Sequence, residues 1–155
     1  MFIYCPPKEI PKIESQTFPD GKRYYVTPEG KKLPSVTTVV GAQKKQSILE
    51  WRKRVGEEVA NKISKKATSR GTNLHSICEN YLNNNLDYYK GVMPDALEMF
   101  KSIRPHLDRI NNIHYLEQSM WSKQLQLAGR VDCIAEYEGV LSIIDFKTSD
   151  RKSVV

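Results

Sequence analysis

The stretch "GRVDCIAEYEGVLSIIDFK", Gly129 to Lys147, constrains the fold of this chain more than any other. Two β-rich runs flank Glu138 and Gly139, the pattern of a tight two-residue hairpin. With those residues as the loop, Tyr137 pairs with Val140 and Asp132 falls opposite Asp145, their Cβ atoms roughly 4.5–5.5 Å apart. Strand alternation then puts Lys147 on the face of Asp145. Like charges opposite one another destabilise a sheet unless something positive lies between them. Lys147 is one such group. A divalent cation is the better one, because hard cations such as Mg²⁺ take carboxylate oxygens. The bland alternative is a surface ion pair of small energetic consequence. Against it stand the apolar neighbours Val131, Ile134, Ile143, Ile144 and Phe146, which disfavour full exposure.

Upstream, "RYYVTPEGKKLPSV" (Arg23 to Val36) reads as a small hairpin turning at Pro-Glu-Gly. Ile48, Trp51, Val55, Val59 and Ile63 recur at spacings of three and four, which predicts one amphipathic helix with that stripe buried. Gly71 and Thr72 are expected to break the chain and cap a second helix, whose stripe is Leu74, Ile77, Cys78, Tyr81 and Leu82. A third helix is expected from Pro94 to Ile110, kinked or restarted at Pro105. Strands follow at about Tyr115 to Ser122, Gly129 to Tyr137 and Val140 to Lys147. The fold class is therefore α/β with an α+β-like order: a small hairpin, helices, then a three-stranded antiparallel meander. His75 and Glu79, four residues apart, share a face of the second helix. A lone helical histidine is more often structural than a ligand, but a carboxylate pair elsewhere raises its standing.

Composition bears on partners. A net charge of +6 across 155 residues favours a polyanion, nucleic acid before a membrane surface. Lys44, Lys45, Arg52, Lys53, Lys65, Lys66 and Arg70 are candidate phosphate contacts, though each singly reads equally well as a solvated charge. Ser35, Thr37 and Thr38 are either backbone contacts or capping residues. The chain shows no signal peptide or long apolar run and reads as soluble and intracellular, with no membrane partner. Cys5, Cys78 and Cys133 are odd in number and scattered, with no CxxC pair, so neither a disulfide framework nor a zinc site has support.

"GRVD" followed by "IIDFKTS" resembles motifs II and III of the PD-(D/E)xK nuclease superfamily. "RGTNLHSICENYL" resembles the histidine-bearing helix of its RecB-like exonuclease branch, and "LPSVTTVVGA" and "LEWRKRVGEEVA" are similar to phage exonucleases of that branch. The likeness runs from about Tyr24 to Ser149. It implies a restriction-endonuclease-like core and a metal-dependent DNA exonuclease of phage-like or bacterial DNA processing, recombination or repair, acting in the cytoplasm. His75, Asp132 and Asp145 become metal ligands with the Phe146 carbonyl as a fourth, Lys147 the catalytic lysine beside Asp132 and Asp145, and Glu79 a carboxylate in or near the ligand set. Mg²⁺ or Mn²⁺ is the implied cofactor, imidazole suiting Mn²⁺ the better. Linear DNA, single-stranded or with free ends, is the implied partner. The rivals are a structure-selective endonuclease of the same superfamily and a DNA-binding module without catalysis.

In the resembling enzymes a helix and a further strand follow the lysine-bearing strand, whereas here the chain continues only as "DRKSVV". That string is what GAT CGG AAG AGC GTC GTG encodes, which looks like a common sequencing adapter. We therefore expect residues 1–149 to be one nuclease domain incomplete at its C-terminus, and 150–155 to be a non-native read-through tail. An apolar strand left uncovered there is expected to favour association of the 155-residue chain.

Overall fold

The computed structural model describes residues 1–19 and 21–148. Ser149 and the expected tail at 150–155 lie outside the described residues.

Three short strands, β1 (Ser15–Thr17), β2 (Arg23–Val26) and β3 (Lys32–Pro34), pair antiparallel in the order β1-β2-β3. The expected hairpin is β2–β3, turned where Gly30 takes φ +80° and donates to the Thr27 carbonyl. The structure adds β1, so the small unit is a three-stranded sheet and not a hairpin alone. Ser35 then caps α1 (Val36–Val55), its Oγ accepting from the Thr38 amide at 3.0 Å. The capping reading of Ser35 thus holds.

The long helical region departs from expectation. Gly56 adopts φ +87°, ending α1 and starting α2 (Glu57–Leu82), which runs unbroken through Gly71 and Thr72. The break therefore falls at the glycine whose left-handed backbone other residues resist, and not at Gly71, whose φ is not left-handed. The expected stripe is split by that break and is not buried. Ile48, Val59 and Ile63 are exposed, and α1 buries no residue at all. The helix α3 (Pro94–Leu107) stops short of Ile110, with Pro105 tolerated in its last turn.

The second sheet is β4 (Ile110–Ser122), β5 (Leu127–Tyr137) and β6 (Val140–Ile144), antiparallel in the order β4-β5-β6. Glu138 and Gly139 form the β5–β6 loop with φ +51° and +80°, the two left-handed positions a primed hairpin turn needs. Tyr137 pairs with Val140, and the same register runs down to Cys133 opposite Ile144. β6 ends there, three residues before the expected Lys147. The C-terminal part of α2 and α3 cover one face of this sheet. Leu74, Ile77, Cys78, Leu82, Phe100, Leu107, Ile113, Cys133, Ala135 and Phe146 form the shared core. A smaller cluster of Ile13, Tyr25, Leu33 and Ala128 ties the small sheet to β5. The N-terminal segment lies along β4, bridging Tyr4 to Ile113 and giving the Ile13 carbonyl to Ser119 Oγ. On the far side, among the described residues, β6 is an edge strand with Leu141 and Ile143 exposed, Ile143 at 77%.

Candidate metal centre

The site lies where the buried end of α2 meets the strand ends. Leu74, Ile77 and Cys78 fix α2 on the sheet, so the intervening His75 is held against β4 and β5. The two ring nitrogens have different surroundings. Nε2 lies 2.8 Å from the Phe146 carbonyl, while Nδ1 lies 3.6 Å from Asp132 Oδ1 and 3.7 Å from Glu117 Oε1. A carbonyl can only accept, so Nε2 carries the proton. In the neutral ring, Nδ1 then presents its lone pair toward both carboxylates, the tautomer of a metal-bound imidazole whose other nitrogen is held by the backbone.

Asp132 is fixed in turn. Its Oδ2 accepts from the Phe146 amide at 2.8 Å, so Phe146 holds His75 through its carbonyl and Asp132 through its amide. The expected pairing of Asp132 with Asp145 is thus modified. The register leads to it, but the strand ends one residue earlier and the Asp132 carboxylate takes the place of a strand partner. Asp145 is exposed and bound to Lys147, Nζ at 2.8 Å from Oδ1 and 2.6 Å from Oδ2. It stays close enough to bear on Asp132. Burial, with the charges of Asp145 and Glu117, pushes the Asp132 carboxyl up from its ordinary range, against the Phe146 amide and His75. His75 is also raised, chiefly by the Glu117 carboxylate beside it and further by Asp132 and the Phe146 carbonyl, with burial opposing.

Glu117 is the residue sequence reasoning missed. It lies across from Asp132, between the pairs Leu116–Cys133 and Gln118–Val131. Its side chain is only 11% exposed, against 12% for Asp132 and 30% for His75. Ligand atoms of His75, Glu117 and Asp132 lie within 4.8 Å of one another. Glu117 Oε1 is enclosed and has no hydrogen-bond partner among the described residues. An orphaned carboxylate oxygen beside a second carboxylate and an imidazole lone pair is a donor set that fits a divalent ion. The signal in the sequence was an acid inside the β-rich run "IHYLEQSMW", the same argument that exposed Asp132.

Of the expected site residues, the fold brings together His75, Asp132 and Phe146, with Asp145 and Lys147 alongside as an exposed pair. Glu79, half-buried on α2, is not in the cluster, and its charge bears instead on Tyr4. The basic candidates sit elsewhere along the helices. Lys44, Lys45, Lys53, Lys65 and Lys66 are exposed on α1 and the first part of α2. Arg52 is engaged by Glu57 and Asn61, and Arg70 has its Nε enclosed without a partner among the described residues.

The fold and this cluster define a mixed α/β protein with a histidine–carboxylate centre suited to a hard divalent ion. Proteins of one name are similar to it in sequence. The chain is 28% identical over 127 residues to the mitochondrial genome maintenance exonuclease 1 of Mus musculus, 29% over 129 residues to that of Homo sapiens, and 31% over 128 residues to that of Xenopus tropicalis. Each match covers 77% of this chain but only 37–38% of the relative. No protein-family model matches the chain.

Proposed function

We propose that this chain carries the centre of a divalent-metal-dependent DNA exonuclease of the PD-(D/E)xK superfamily, RecB-like branch. The observation that carries the reading is the orphaned Glu117 oxygen on β4 facing His75 and Asp132, with Asp132 one residue beyond the end of the β5–β6 ladder. The named activity of the relatives and the surplus of basic residues support DNA as the substrate. His75, Asp132 and Glu117 would hold Mg²⁺ or Mn²⁺, with Asp145 added once it leaves its pairing with Lys147. A bound ion supplies a water of lowered pKa and positive charge at the scissile phosphate. Lys147, paired with the exposed Asp145, would offset charge developing on phosphate oxygens as water attacks and one ester oxygen departs. The Phe146 peptide keeps both His75 and Asp132 in place, so ligand geometry need not be assembled when substrate arrives.

The test compares linear and circular DNA as substrates with Mg²⁺, with Mn²⁺ and with a chelator. Loss of linear DNA only, abolished by chelator and by Asp132→Asn or Lys147→Ala, is the expected result. Cleavage of circles would assign endonuclease action. DNA binding without cleavage under any metal would assign the binding-module reading.

A further inference from the structure

Glu117 does not occupy its position cheaply. Its φ is +49° within a strand, although the register on either side of it is unchanged. A left-handed backbone is uncommon for a glutamate, and such conformations persist where the surroundings impose them. The carboxylate is also nearly buried and lies across from Asp132, a like charge. A second basic group besides His75 offsets the buried charge. Arg130 Nε lies 2.8 Å from Glu117 Oε2. Arg130 pairs across the ladder with Ser119, two residues along β4 from Glu117, so the contact is a diagonal one that a long side chain spans. The grip engages Oε2 and leaves Oε1 toward His75 Nδ1. A fork gripping both oxygens would have competed with an ion at each of them.

We propose that Arg130 is a positioning residue for the metal centre: it holds Glu117 by one oxygen so that the other is presented to the ion. This rests on the metal-site reading above. Arg130 itself is 60% exposed and its ion pair is with Glu117, so its influence on the ion runs through that carboxylate.

The experiment is calorimetric titration of the DNA-free protein with Mn²⁺, in the wild type, Arg130→Gln, Glu117→Gln, the double variant and Arg130→Lys. Arg130→Gln is expected to weaken Mn²⁺ binding by about 10-fold, the low end for loss of a group that orients a ligand. Arg130→Lys should recover most of that loss. In the Glu117→Gln background Arg130→Gln should cost nothing further, because its route to the metal is already gone. A merely structural role would lower the melting temperature of Arg130→Gln and leave its Mn²⁺ affinity alone, which overturns the inference. So does an additive loss in the double variant. Unchanged Mn²⁺ affinity with weakened DNA binding in chelator also overturns it and assigns Arg130 to substrate phosphate. Should the wild type itself bind no Mn²⁺, the metal-site reading falls and the inference with it. Wild-type binding with an indifferent Arg130 removes the inference alone.

Discussion

Within α2, the residues from Leu74 to Leu82 bury four side chains almost completely, whereas those from Glu57 to Arg70 bury only Ala60. The two parts belong to one continuous helix and have opposite occupations. The C-terminal part is held by the sheet and carries His75. The N-terminal part, together with α1, carries charge. From Val36 to Arg70 there are nine lysines and arginines against three glutamates, a surplus of six that equals the net charge of the whole chain. All remaining residues therefore balance to zero, with basic and acidic groups in equal number. Basicity here is a property of one limb, separate in sequence from the residues that build the acidic centre. In the proposed reading the limb attracts a polyanion and the centre acts on it.

The largest expected effect tests the packing side of that contrast. Ile77 is fully buried between α2 and the sheet, so Ile77→Ala should cost about 2–5 kcal/mol of folding stability. Ile63, on the same helix but 47% exposed, should lose no more than about 0.5 kcal/mol on the same change. Urea denaturation of both variants measures it. Equal losses would mean that the first half of α2 is packed against something, and the contrast would be broken.

The charge side is tested by salt. Replacing Lys44, Lys45, Lys65 and Lys66 with Gln should weaken DNA binding in chelator and flatten its salt dependence, by roughly 0.7–0.9 in the log–log slope for each phosphate no longer neutralised. The control replaces four lysines outside the limb, Lys8, Lys12, Lys90 and Lys101, leaving net charge equally reduced. Fluorescence anisotropy across a salt series reads both. An equal change in the control would show that overall charge, and not the limb, governs association.

The same contrast explains what the sequence disclosed. The Glu138–Gly139 turn was legible because two adjacent left-handed positions leave few alternatives, and the β5–β6 register followed from it by counting. That register led to Asp132 correctly, yet it could not show that Phe146 would intercept Asp132 before Asp145 did. Glu117 stayed hidden for a related reason. The β4–β5 connection "KQLQ" carries no comparable turn signal, so nothing in the sequence fixed which β4 residue opposes Asp132. The stripe from Ile48 to Ile63 misled because periodicity reports a face and not its partner. Gly56 divides that face, and among the described residues none covers Ile48, Val59 or Ile63 enough to bury it.

The smallest expected effect concerns the electrostatics of the centre without metal. His75 and Asp132 are both raised in the folded protein, so in that state each holds its proton more tightly than in the unfolded chain. Stability changes with pH according to the difference in protons bound by the unfolded and folded states, and here the folded state binds more. The sign is therefore negative: their contributions are lost as pH rises, above about 3.8 for Asp132 and above about 6.5 for His75. Between pH 6 and 8 the His75 part alone is isolated by comparing the wild type with His75→Gln. In chelator, the wild type should lose more melting temperature over that interval than the variant does. With saturating Mn²⁺ the order should reverse. An ion displaces the proton from Nδ1, so raising the pH then favours the loaded wild-type protein, while the variant gains little. Parallel pH profiles for the two proteins in chelator would mean that Glu117 and Asp132 do not hold a proton on His75. The centre would then differ less from the solvated limb than its geometry implies.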